Sequence, residues 1–238
     1  MVKGTIDAGH GGKDPGALGN GLKEKDITLA MSKKVGAILQ EHGVVINYTR
    51  TTDKFLTLTK RAMVANNANA DFFVSFHVNS ATNPNARGFE LFTTKGTTKA
   101  DELAEYIALE IIKAFPDVPF RSDKTDGDLD KEENFTVITK TKMPAVLVEM
   151  GFIVNSIDAQ MLRTQQDKIA TAIAKGILKY LGIAYKEDGI KISINGKPYV
   201  MEGVFENNKN YVGVRELAEA LGYKVDWDVA NKVVKING

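Results

Sequence analysis

Three short strand-like runs, each leading to a side chain able to do chemistry, constrain this chain more than any other feature. Val2 to Ile6 leads through Asp7-Ala8-Gly9 to His10. Phe72-Phe73-Val74-Ser75-Phe76 leads to His77, and Ala145-Val146-Leu147-Val148 leads to Glu149. Short apolar runs of this kind read as strands buried within a sheet. Between them lie stretches of helical period: about Glu24 to His42, Leu56 to Asn67, Thr98 to Phe115 and roughly Gln165 to Leu181. Strands alternating with helices predict an α/β fold, with a mostly parallel or mixed twisted sheet and helices on both faces. Parallel strands would carry their terminal side chains over one edge of that sheet, where α/β proteins hold reactive groups.

Composition narrows the chemistry. With 238 residues, the chain can bury one substantial core and carry a small appendage. Lys+Arg 31 against Asp+Glu 30 leaves a net charge of +1, which removes the electrostatic case for nucleic acid and weakens that for an anionic surface. There is no cysteine, so disulfides and thiolate metal sites are excluded, and any metal must take histidine and carboxylate ligands. No run approaches membrane-spanning length, so no membrane partner is expected. The N-terminus lacks a charged-then-apolar leader with a small-residue cleavage site, so no signal peptide is expected. The oligomeric state is left open.

His10 sits in the glycine-rich turn Asp7 to Gly12, and His77 precedes Val78-Asn79-Ser80. His10 alone proves nothing, and His77 alone reads equally as a polar residue satisfied at a strand end. Two in matching settings shift the reading toward a metal site. His42 falls in the last turn of a helix, where an imidazole is favoured by the helix dipole, and reads as surface. Glu24 opens the first helix; from spacing alone it is best read as an acid favoured at a helix N-terminus. It also follows the glycine-rich loop closely enough to face the same edge as His10, and two histidines with one carboxylate are a catalytic zinc set that leaves a fourth position for water. Glu149 follows a buried strand, where an acid is costly unless paired, exposed to a cavity or near a cation. Its functional reading is a general base beside a metal-bound water. Val44 to Tyr48 and Gly88 to Phe92 read as further strands, and Pro116 to Glu133, polar and charged, as a long solvated loop at the rim of a site.

Asp7 to Gly12, Glu24 with its helix, Arg50 to Asp53, Arg61, Asn66, Ser75 to Ser80 and Val146 to Asn155 together resemble the zinc-dependent N-acetylmuramoyl-L-alanine amidases, in particular the amidase_3 group of bacterial autolysins and phage endolysins. The resemblance runs in order through residues 1–182. Ala8 stands where proline is common, and Phe76 and Val78 where isoleucine and alanine are; no functional group is lost by these departures. The resemblance implies Zn2+ bound by His10, Glu24 and His77, Glu149 as the catalytic acid/base, and Asn79 near the substrate cleft. It implies peptidoglycan as the substrate, cut at the amide joining N-acetylmuramic acid to L-alanine. The alternatives are a zinc metallopeptidase acting on another peptidoglycan bond, and a noncatalytic wall-binding protein. A carboxypeptidase-like activity would need a cation for the substrate's terminal carboxylate; Arg87 and Arg121 are available, and sequence does not place them. The expected setting is a chain made in the cytoplasm that reaches the wall on release, in phage or mother-cell lysis, or a mature secreted form.

Residues 183–189 read as a charged linker between a catalytic domain, 1–182, and a small α+β module, 190–238. In the module, Asn195-Gly196 is the expected tight turn between two strands. Val214 to Gly222, then Trp227-Asp228, resemble the stalk module related to the N-terminal domain of copper amine oxidases. Wall binding through exposed Tyr or Trp is one reading; the favoured one has Tyr223 and Trp227 filling a very small core.

Overall fold

The computed structural model describes residues 1–123, 127–186, 190–201, 203–206, 209–228 and 233–238. They form two compact units, Met1–Tyr185 and Lys186–Gly238. The first unit runs β1 (Lys3–Ala8), a hairpin of β2 (Leu18–Gly19) and β3 (Leu22–Lys23), α1 (Glu24–Glu41), β4 (Val45–Tyr48), α2 (Leu58–Ala68), β5 (Phe72–Asn79), β6 (Glu90–Thr93) and α3 (Lys99–Ala114). It continues through β7 (Lys131–Glu132), α4 (Thr136–Thr139), β8 (Ala145–Phe152), α5 (Ser156–Thr164) and α6 (Gln166–Tyr180). A six-stranded sheet takes the order β4-β1-β5-β8-β6-β7. β4, β1, β5 and β8 are mutually parallel, and β6 turns antiparallel to β8, so the sheet is mixed.

The sheet's two faces differ, and the difference builds the site. Residues two apart on a strand share a face. One face carries Ile6, Phe72, Val74, Phe76, Val146 and Val148 into the large core, with Met31, Val35 and Leu39 of α1, Leu103 and Ile107 of α3, and Ile169, Ile173 and Ile177 of α6. The other carries Phe73, Ala145, Leu147 and Phe92 into a smaller cluster with Ala65 of α2 and Val137 and Ile138 of α4. Followed toward the carboxyl ends of the parallel strands, this second face turns polar. Asp7 and Ser75 are buried there, and the next residues on β5 and β8 are His77 and Glu149. The small cluster stops short because its strands exchange apolar side chains for chemistry.

Several expectations are corrected. His77 and Glu149 lie within β5 and β8 rather than at their ends, because backbone pairing outlasts the apolar run. The described residues of the segment 116–133 are not simply a solvated loop. Val118, Phe120 and Leu129 pack against the core, Phe120 bridges to Phe89, and Asp130 is buried. His42 is half-buried: its Nδ1 lies 2.7 Å from the Ile38 carbonyl, and its ring stacks on Tyr185 at 5.0 Å. α5 was not anticipated, although Asn155 caps it by accepting from the Ile157 and Asp158 amides.

The second unit contains the antiparallel pair β9 (Ile190–Ile194) and β10 (Lys197–Met201), then β11 (Gly203–Glu206) with β12 (Lys209–Val212), α7 (Val214–Ala220), and β13 (Lys224–Asp228) with β14 (Val233–Asn237). Asn195 and Gly196 both have positive φ, at 51° and 78°, as a two-residue turn matched to strand twist requires. Met201, Ala218 and Val225 are its buried apolar residues among those described. Tyr223 and Trp227 are 45% and 53% exposed, so the core-filling reading is corrected. The linker residues 187–189 lie outside the described residues.

Candidate active site

The site begins with Asp7, fully buried on β1. It accepts hydrogen bonds from Thr49 Oγ1 (2.5 Å), Ser75 Oγ (2.7 Å) and Arg61 Nη1 (2.9 Å). Arg61 in turn donates to the carbonyl of His10 at 2.6 Å. Arg50, also buried, donates to the carbonyls of Ala8 (2.9 Å), Gly9 (2.8 Å) and Lys25 (2.8 Å). Two arginines thus fasten the turn after β1 by its backbone. They hold His10 at φ 60°, a left-handed conformation uncommon for a residue with a side chain.

His10, Glu24 and His77 come together. Their candidate ligand atoms all lie within 4.8 Å of one another. His10 Nε2 and His77 Nδ1 are each 3.0 Å from Glu24 Oε1. The carboxylate also accepts from the Val78 amide at 3.0 Å and, through Oε2, from the Ala17 amide at 2.7 Å. Glu24 does open α1, but its side chain turns inward and is buried. Nδ1 of His10 lies 2.9 Å from Asp14 Oδ2. Since a carboxylate only accepts, this partner keeps the proton on Nδ1 and turns Nε2 toward Glu24. Burial works against charge on Glu24, but the two imidazoles outweigh it and hold its pKa well below the usual range. Burial likewise opposes protonation of His10, and Glu24 and Asp14 overcome it, raising its pKa.

The group fits a metal ion. Two imidazoles and a carboxylate are a donor set for zinc, and donors bound tetrahedrally at about 2.0–2.1 Å sit about 3.3 Å apart, close to the 3.0 Å between Glu24 Oε1 and each imidazole nitrogen. The surrounding backbone leaves room only for glycine. A Cβ on Gly16 would lie 2.6 Å from Glu24 Oε2 and 2.8 Å from His10, and one on Gly9 2.5 Å from the His77 ring.

Glu149 is the direct cross-strand partner of His77. Its Oε2 is buried and, among the described residues, has no hydrogen-bond partner. Burial, then the negative charges of Glu24 and Glu90, push its pKa well above the ordinary value. An acid raised in this way is suited to exchanging a proton with a neighbouring water. Beside His10 and His77 a cleft opens, lined by Phe55, Leu56 and Leu58. Asn79 donates to Glu90 Oε2 at 2.6 Å and accepts from the Ser80 amide. These bonds use one of its two N–H donors and one of its two acceptor lone pairs.

Sequence reasoning passed over Glu90, Asp14 and the orienting roles of Asp7, Arg50 and Arg61. Glu90 left one signal: a lone acid inside the apolar strand Phe89-Glu90-Leu91-Phe92. Arg87 goes elsewhere, with Nε 3.6 Å from the buried Asp158.

Fold and site together define an α/β protein with a mixed sheet and a metal-capable His-Glu-His group beside a half-buried glutamate. The chain belongs to the N-acetylmuramoyl-L-alanine amidase family, peptidoglycan hydrolases, whose family model matches residues 5–179. Residues 188–238 match the model of the copper amine oxidase N-terminal domain. The chain is 35% identical over 240 residues to the endolysin of Bacillus phage SPP1, covering 97% of this chain and 83% of that protein. It is 37% identical over 226 residues to the sporulation-specific N-acetylmuramoyl-L-alanine amidase of Bacillus subtilis, covering 94% and 83%. Among solved structures, the amidase AmiC2 of Nostoc punctiforme superposes with a TM-score of 0.70 at 38% identity, covering 76% of this chain and 97% of that one. Among the described residues, no helix is long and apolar enough to cross a membrane.

Proposed function

We propose that this chain hydrolyses the amide between N-acetylmuramic acid and L-alanine with a zinc ion held by His10, Glu24 and His77, and with Glu149 as general base and acid. The observation that carries the reading is the register of β5 and β8, which sets Glu149 beside His77. When bound, the metal supplies a Lewis acid and lowers the pKa of water from about 15.7 toward 7. Glu149 takes the proton from the attacking water and returns it to the departing nitrogen. The products are the lactyl carboxylate and the free amine of L-alanine. Asp14 holds His10 in the required tautomer, and Asn79 lines the substrate side of β5.

The setting we propose is wall lysis or remodelling after release from the producing cell. The descriptions of the relatives, an endolysin and a sporulation-specific amidase, support it. Residues 1–182 form the catalytic domain in this reading, and 190–238 bind the wall. The exposed rings of Tyr223 and Trp227 support that second role, since aromatic faces stack on sugars.

The test is digestion of purified peptidoglycan with and without a zinc chelator, counting new L-alanine amino termini and new reducing ends. Chelator-sensitive alanine amines without reducing ends are expected. Amines on other residues would move the cut to a peptide bond, and chelator-insensitive release would remove the metal.

A further inference from the structure

Next to the site lies a charged cluster whose cations, Arg121 and Lys131, have no part in the His-Glu-His group or in the role given to Glu149. Glu90 on β6 pairs directly with Glu149 on β8, which pairs with His77 on β5. The three side chains therefore form one row across three strands on one face. Glu90 is buried, and its Oε1 accepts from both Arg121 Nε (2.6 Å) and Lys131 Nζ (2.8 Å). Its Oε2 accepts from Asn79. One carboxylate is neutralised by one cation; here two converge on a single oxygen, leaving surplus positive charge at the end of the row. The Arg121 side chain is 43% exposed, and its guanidinium lies over the Phe152 ring at 5.2 Å. Among the described residues Glu90 engages only its Nε donor, while a guanidinium offers five.

We propose that Arg121, backed by Lys131, is a subsite for a carboxylate on the stem peptide, close to the scissile amide. The proposal rests on the amidase reading above. Glu90 and the Phe152 ring fix the guanidinium on one edge and one face, so little order is lost when a second carboxylate docks on it. A planar fork suits a carboxylate better than a point charge does. Distance agrees. Neighbouring strands are about 4.8 Å apart, and an extended peptide advances about 3.3–3.6 Å per residue. His77 and Glu90 stand two strand spacings apart, about 10 Å, so a group two or three residues beyond the cleaved bond falls near Arg121.

The experiment compares two soluble muropeptides that differ only in the carboxylate nearest L-alanine, free in one and amidated in the other. The protein is the full chain loaded with zinc. Wild type is expected to favour the free acid by roughly 10- to 100-fold in kcat/KM, mostly through KM, as one charge-assisted contact would give. That ratio should fall close to 1 in Arg121→Gln and be partly restored in Arg121→Lys. Equal cleavage of both peptides by wild type overturns the subsite without recourse to any variant. Arg121→Gln slowing both peptides alike, with the ratio kept, also overturns it, since Arg121 then only positions Glu90. If wild type cleaves neither peptide, the amidase reading falls, and this proposal with it.

Discussion

His77 and Glu149 face each other across β5 and β8, and the register of the two strands shifts immediately beyond them, so that Asn79 next meets Phe152. The extra residue on β8 falls in the stretch Met150-Gly151, where Gly151 takes a φ of 127°. A bulge placed just after a reactive pair ends regular pairing there and re-aims the chain. The last in-register pair of the two strands is thus the pair the chemistry needs.

Replacing Glu149 should separate metal binding from turnover. Glu149→Ala is expected to lower the rate of amide hydrolysis by on the order of 10²- to 10⁴-fold while bound zinc stays near wild type. His10→Ala or His77→Ala should lose both. Metal content by elemental analysis, measured with release of alanine amines, checks this. A Glu149→Ala protein with normal turnover would sink the assigned role.

Gly16 and Gly43 make a matched pair. Both have positive φ, at 65° and 81°, so an alanine at either is strained by about 1 kcal/mol or more. Only at Gly16 does the new Cβ strike Glu24 and His10; at Gly43 nothing among the described residues lies within 4 Å. Gly16→Ala is expected to weaken zinc binding at least about 10-fold, and Gly43→Ala to leave it unchanged. Competition with a chelating dye reads both.

Asp7 and Arg61 form a buried ion pair whose members also hold the His10 turn. Removing one partner strands the other without compensation. Asp7→Ala should destabilise the protein by about 3–5 kcal/mol. Urea unfolding, followed by a shift in midpoint at constant slope, measures it; a loss under about 1 kcal/mol would mean that the pair behaves as if solvated.

Asp130 carries a pH dependence unrelated to catalysis. Burial is the main cause of its pKa rising to about 7, opposed by the Thr93 hydroxyl and reinforced by Asp128 and Asp101. Unfolded, the group titrates near 3.9. Between these values the folded state holds a proton that the unfolded state has released. Its contribution to stability therefore falls as pH rises from about 4 to about 7. Asp130→Asn should flatten that slope and exceed wild type by about 1–3 kcal/mol at pH 8, with little difference at pH 4. Thermal unfolding across that range, on metal-loaded protein, decides it; an unchanged slope would place the proton elsewhere.

The strand–helix alternation was legible in the residues alone, because burial on both faces demands continuous apolar runs and burial of one stripe demands a helical period. His10, His77 and Glu149 stood out for the same reason: each interrupts or ends an apolar pattern where a polar group is costly. Glu24 did not stand out, since an acid at a helix start is favoured by the dipole whatever its side chain does. Only the tertiary structure turned it inward, onto the Val78 and Ala17 amides, 54 and 7 residues away in the chain. Glu90 broke an apolar run and Arg121 stood as an unplaced cation, but that they meet each other and Lys131 was invisible, for the meeting depends on a strand order, β8-β6-β7, that no local pattern encodes. Periodicity reports which face a residue takes. Which residues share that face across neighbouring strands depends on register, and register is set by the packing of the whole sheet.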